Sequence, residues 1–255
     1  MSIIAGFGDI SPLQLLLVAA VALFAGVVGG MAGYGTGVLM PLVLVPLVGA
    51  EPVVPIIAIS SIFTNVGRVS AFHRDADPRR AMIVTAAAAV TTMLGAYGYT
   101  RLTGAGAALV IGTMLIASIP LRAMARRRGI RIGDRGLTLG ALGWGLIVGG
   151  TSGAGVILLS LLMAAGLEGR AVVATDALIS VGVSALKIGV FGFAGAITAQ
   201  VLALAVLIGG IAFPSAFLAR ALVRRLPMHI HTRILDLAVV TGGGVMIADA
   251  LRHLI

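Results

Sequence analysis

The side chains of this chain that could do chemistry are hydroxyls, amides and a carboxylate set at helical spacing. Ser60, Ser61, Thr64 and Asn65 fall in one apolar stretch, and Thr175, Asp176, Ser180 and Ser184 fall in another. Residues four apart share one face of a helix, so each stretch carries a polar stripe on an otherwise apolar surface. Tyr34, Thr36, Thr151 and Ser152 add hydroxyls at two glycine-rich sequences, Gly29-Gly30-Met31-Ala32-Gly33-Tyr34-Gly35-Thr36-Gly37 and Gly149-Gly150-Thr151-Ser152-Gly153-Ala154-Gly155. Donors of this kind suit a small oxyanion. A lone Ser or Thr in a helix more often bonds a carbonyl one turn back, so it is the convergence of both stripes that points to a ligand.

Other chemistries are excluded by composition. The chain has no cysteine, which removes thiolate metal sites, iron–sulfur clusters and thiol nucleophiles together. It contains no His-Glu-x-x-His, no Gly-x-Ser-x-Gly and no phosphate-binding loop, so neither an enzyme nor an ATP-driven pump is expected. The histidines fall in or near loops, and no metal or cofactor is expected. With 8 Phe, 3 Tyr and 1 Trp a base-stacking platform is missing, so nucleic acid is not a partner despite a net charge of +9.

The elements that carry these residues belong to a membrane. Of 255 residues 59% are hydrophobic and only 11% charged, less than half the roughly 25% that a soluble surface requires. Mean hydropathy is +1.13. Period-two alternation is lacking and Leu, Ala and Gly run in long stretches, which predicts a helical bundle rather than a barrel. The first stretch, 11–31, is longer than a signal-peptide core and lacks preceding basic residues, so it reads as a retained helix. Breaks in hydropathy predict segments at 11–31, 36–49, 53–72, 81–99, 104–123, 137–151, 155–166, 171–191, 197–223 and 234–251.

Two segments, 36–49 and 155–166, are too short to span ~30 Å at 1.5 Å per residue. Each follows one of the glycine-rich breaks, and each precedes a small loop and then a polar-striped helix. Aligning the halves pairs Ser60 with Asp176, Thr64 with Ser180 and Arg68 with Ser184. The chain therefore reads as a first transmembrane repeat at 11–123, a basic linker at 124–136 and a second repeat at 137–251. The basic residues cluster at 68–80, 122–135, 170 and 220–233, leaving only Arg101, Lys187 and Arg252 elsewhere. Basic loops stay cytoplasmic, which places both termini on the other side. Five segments per repeat, an odd number, make the repeats inverted.

Breaks at membrane depth persist only where the freed backbone lines a protein-buried or wet cavity. Paired breaks in inverted halves point to a transporter's central site, where half-helix N-termini offer N–H groups and a positive dipole end. The expected substrate set is Gly33, Tyr34, Gly35, Thr36, Ser60, Ser61, Thr64, Asn65, Thr151, Ser152, Gly153, Gly155, Thr175, Ser180 and Ser184. Asp176, an ionisable residue within the membrane, is the expected proton-coupling group. Arg68 and Lys187 lie towards the ends of their helices and are expected to anchor at the headgroups. The anion is accordingly expected to be held by backbone and hydroxyl donors without a buried cation.

The glycine breaks with their short helices, and Gly-Leu-Glu-Gly-Arg-Ala-Val-Val-Ala-Thr-Asp at 166–176 with its weaker echo at 49–61, resemble the duplicated motif of the TauE/SafE sulfite-exporter family of bacterial permeases. The resemblance covers about 24–123 and 141–251. It implies a multi-pass inner-membrane protein that exports sulfite or a short organosulfonate. Alternating access is the expected mechanism, with an anion-selective channel or a non-transporting membrane partner protein as alternatives. The partners implied are a small anion and the lipid bilayer; proton coupling and a homo-oligomer are both compatible with the sequence.

Overall fold

The computed structural model describes residues 6–8, 10–33, 35–125, 131–222 and 228–254. Among them are ten α-helices and no strand: α1 (Pro12–Ala32), α2 (Thr36–Val48), α3 (Val53–Phe72), α4 (Pro78–Tyr99), α5 (Gly104–Ala125), α6 (Asp134–Gly150), α7 (Gly155–Ala164), α8 (Arg170–Phe193), α9 (Ala199–Leu222) and α10 (Met228–Leu254). They follow the ten hydropathy segments in order. Differences are at the ends: α4 begins at Pro78 because Asp77 caps it and Pro78 suits a first turn, and α10 begins six residues before its apolar stretch. Hydropathy marks where a helix is apolar, and the hydrogen-bonded coil continues into its polar ends. Tyr34, the middle of the 124–136 linker and part of the 220–233 stretch lie outside the described residues.

Six helices, α1, α3, α4, α5, α8 and α9, are long and apolar enough to cross a bilayer. The chain is a multi-pass helical membrane protein. Large apolar side chains on the outer helices, such as Leu13, Leu16, Val90, Leu94, Leu139 and Leu146, are exposed and meet lipid. The helices α2 and α7, with 13 and 10 residues, reach only about 20 and 15 Å.

The long helices start and stop for local reasons. Ser11 accepts from the Gln14 amide while Gln14 reaches back to Ser11, a capping box ahead of Pro12, and α1 ends on Gly33 at φ 80°. Asp77 caps α4 through the Arg80 amide at 3.0 Å. Neither α2 nor α7 receives a side-chain cap, so their first N–H groups are free for another partner.

Polar contacts sort the chain ends onto two faces. Arg79 sits 2.7 Å from Asp134, Ile132 N–H bonds the Ala164 carbonyl at 2.9 Å, and Asp77 N–H bonds Thr175 Oγ1 at 2.9 Å. One face therefore carries the 73–80 turn, the start of α6, the end of α7 and the start of α8. Tyr99 OH bonds the Ala50 carbonyl at 2.6 Å and its ring lies 6.2 Å from that of Phe191, which gathers the 49–52 and 99–104 turns and the end of α8 on the other face.

At the centre α3 packs against α8, α3 also packs on α9, and α8 on α4. Around them α4 packs on α6, α1 on α9, α5 on α7 and α10, and α2 on α10. The α4–α6 contact is as close as backbones allow: a Cβ on Gly95 would lie 2.9 Å from Gly150 N, and one on Gly149 2.9 Å from Ala96 N. These glycines serve helix packing, which in lipid depends on close van der Waals approach.

Candidate functional site

The two breaks meet. At the first, α1 stops at Gly33 and α2 restarts from Gly35, whose carbonyl accepts from Val38 at 3.1 Å and Leu39 at 2.8 Å. At the second, α6 ends at Gly150, Thr151 runs extended, and Gly153 turns the chain at φ 88°, a conformation that favours glycine. Trp144 Nε1 donates to the Ala154 carbonyl at 3.0 Å and fixes this turn from within α6. Ser152 Oγ then donates across to the Gly37 carbonyl at 2.5 Å. The uncapped N-termini of α2 and α7 are thereby brought to one place, each aimed from the middle of the protein with its helix leading to an opposite face.

A cavity of about 110 Å³ opens there, between the breaks and the inward faces of α3 and α8. One water needs only ~10–15 Å³ by this measure, so a small ion with some hydration fits. Of the residues expected from sequence, Gly33, Gly35, Thr36, Ser61, Thr64 and Asn65 line it from one half of the chain. Thr151, Ser152, Gly153, Gly155, Ser180, Ser184 and Asp176 line it from the other. Tyr34 lies outside the described residues. Ser60 and Thr175 are buried but do not line the cavity: Ser60 Oγ donates to the Ile57 carbonyl at 3.2 Å, and Thr175 serves the turn before α4.

Several hydroxyls already spend their proton on carbonyls. Thr64 donates to Ser61 O at 3.2 Å and Thr151 to Ser152 O at 3.4 Å, in addition to the Ser152 bond to Gly37. Among the described residues, the hydroxyls of Thr36, Ser61, Ser180 and Ser184, the Asn65 amide nitrogen and Arg68 Nε are lining side-chain donors not engaged in this way.

The expectation for the two buried-segment cations is corrected. Arg68 and Lys187 do not reach the headgroups: they are 6% and 5% exposed, and both line the cavity. Arg68 places its guanidinium on Asp176 Oδ2 at 2.5 Å, Asn65 Oδ1 at 2.8 Å and Val173 O at 3.0 Å. Lys187 Nζ donates to Val148 O at 2.7 Å and Thr151 O at 3.3 Å, at the end of α6. Position along a helix suggested snorkelling, but the face decides. The signal was in the stripes themselves, because Arg68 continues Ser61, Thr64 and Asn65, and Lys187 continues Asp176, Ser180 and Ser184, at steps of three and four. The expectation of a site without buried cations falls with it.

The arrangement can bind a small anion: two half-helix ends, free hydroxyls and a cation converge on one cavity. A protein-family model described as Sulfite exporter TauE/SafE matches residues 18–246. Among curated proteins and among solved structures none matches the chain.

Proposed function

The chain belongs to the sulfite exporter TauE/SafE family, a family of transporters and not of enzymes, and from that premise we propose that it exports sulfite or a short organosulfonate across the bacterial inner membrane by alternating access. The observation that carries this reading is the meeting of two uncapped half-helix N-termini, α2 and α7, at one cavity lined from both halves of the chain. The cavity-lining residues named above form the substrate site in this reading, and Asp176 is its proton-coupling group. An inside-negative potential alone favours anion efflux by ~2.3 kcal/mol per charge per 100 mV, so no nucleotide is needed.

The proposal includes two inverted repeats, 11–123 and 137–251, joined by the linker 124–136. The packing supports it, since the major contacts between helices have counterparts: α4 on α6 answers α9 on α1, α3 on α9 answers α8 on α4, and α5 on α7 answers α10 on α2. The face bearing Arg74, Arg79, Arg80, Arg135 and Arg170 is the cytoplasmic one by the positive-inside rule, and both termini lie opposite. Reporter fusions at Gly129 and at the C-terminus are expected to report opposite sides. The same side for both would sink the inverted arrangement.

The functional test is flux in proteoliposomes holding purified protein, with a panel of sulfite, methanesulfonate, taurine, sulfate and chloride. Saturable flux with counter-exchange for sulfite or a sulfonate is the expected result. Unsaturated conductance would replace the carrier by a channel, and no flux for any anion would overturn transport.

A further inference from the structure

The cavity is lined, among the described residues, by three ionisable side chains: Arg68, Asp176 and Lys187. Two of them cancel, because Arg68 and Asp176 are in direct contact at 2.5 Å. Among the described residues Lys187 has no such partner. Its Nζ bonds only two carbonyls, Val148 O and Thr151 O, and an ammonium has three N–H donors. Asp176 precedes it by eleven residues on α8, about 16 Å along the axis, too far to neutralise it.

An uncompensated cation buried in a membrane protein is costly and marks the path of an ion. Lys187 is also at the right place. Thr151, whose carbonyl it bonds, adjoins Ser152, and Ser152 bonds Gly37 of the opposite break. The ammonium thus sits beside the point where the two half-helix ends converge.

On the reading of the chain as an anion exporter, we propose that Lys187 is the counter-charge of the transported anion and that the cavity therefore selects monoanions, such as a sulfonate head group or hydrogen sulfite, over dianions. A monoanion leaves the loaded cavity neutral. A dianion would carry one unbalanced negative charge into a space whose remaining donors are dipoles. The carbonyls of Val148 and Thr151 give the ammonium partners to return to when the anion leaves, which permits release.

The test uses the full-length protein in proteoliposomes, with methanesulfonate as a monoanion and ethane-1,2-disulfonate as a dianion at the same pH. On the wild type, methanesulfonate should compete with labelled sulfite at least about tenfold more strongly than the disulfonate. Lys187→Gln, which keeps a donor for the carbonyls but removes the charge, should raise the half-saturating methanesulfonate concentration by roughly tenfold or more, since hydrogen bonds to charged groups are the strong ones. Lys187→Arg should stay within about threefold. Equal competition by the two probes, or a folded Lys187→Gln with unchanged half-saturation, overturns the assignment while leaving export standing. The competition is measured on unaltered protein, so it decides the matter even if the Gln variant does not fold. Absence of any sulfite or methanesulfonate flux in the wild type overturns the transport reading, and this inference with it.

Discussion

Gly37→Ala is expected to lower transport roughly tenfold or more in protein that still folds and inserts. A Cβ at this position would lie 3.2 Å from Gly153 N and 3.5 Å from Ser152 Oγ, which puts a methyl group between the two breaks where they meet. The neighbours are backbone on one side and a hydroxyl on the other, so they yield by only a few tenths of an ångström. Gly37 lies in the first turn of α2 without a left-handed φ, and alanine is the better helix former by ~1 kcal/mol, so the fold itself loses little. Overpacking of this kind costs ~1–3 kcal/mol, here directed at the ligand space, and flux should fall roughly tenfold or more. Gly35 is a poorer probe, because its Cβ would press on the Ala25 carbonyl and come within 2.5 Å of Gly29 N, and loss there would report misfolding. Ser152→Ala removes one hydrogen bond to Gly37 and should weaken flux only several-fold, about 1 kcal/mol. Sulfite flux at matched protein content, with size-exclusion profiles of each variant, is the measurement. Normal flux in folded Gly37→Ala would remove the breaks from the substrate path.

The order and number of helices were legible because hydropathy in a membrane protein is a strong one-dimensional signal, and the glycine breaks interrupt it sharply. Thirteen of the residues singled out from sequence line one cavity for the same reason: steps of three and four define a face whatever the tertiary contacts. At the ends of the stripes two signals conflict: the position of Lys187 near the end of α8 favours snorkelling, while its step of three from Ser184 puts it on the inward face. The carbonyls of Val148 and Thr151 decide for the inward face. The placement of Ser60 was illegible, since its hydroxyl satisfies itself one turn back and needs nothing from the cavity. Nor could pairing of Arg68 with Asp176 be read, because it joins residues 108 apart through the packing of α3 on α8.

That pair carries the largest expected effect on stability. Asp176 is 1% exposed, and breaking a buried ion pair by removing one partner costs ~3–5 kcal/mol, because the other charge is left uncompensated. Asp176→Asn should therefore lower the melting temperature and yield in detergent more than any hydroxyl deletion. Replacing both partners by apolar residues, Arg68→Met with Asp176→Leu, should recover most of the lost stability, since exchanging a buried pair for hydrophobic groups is often neutral or better. Among the described residues Arg68 Nε and Asp176 Oδ1 have no hydrogen-bond partner, so the pair is incompletely satisfied and dispensable to the fold once both charges go. Its position makes it more than a strut. It lines the cavity and ties α3 to α8, and loss of the Asp176 charge would remove the guanidinium's ionic partner. If Asp176 couples protons to export, an outside-acidic gradient should accelerate sulfite efflux by the wild type, and the stable double variant should lose that acceleration while remaining folded. A double variant that keeps both its flux and the response to the gradient would make the pair structural and send the coupling elsewhere.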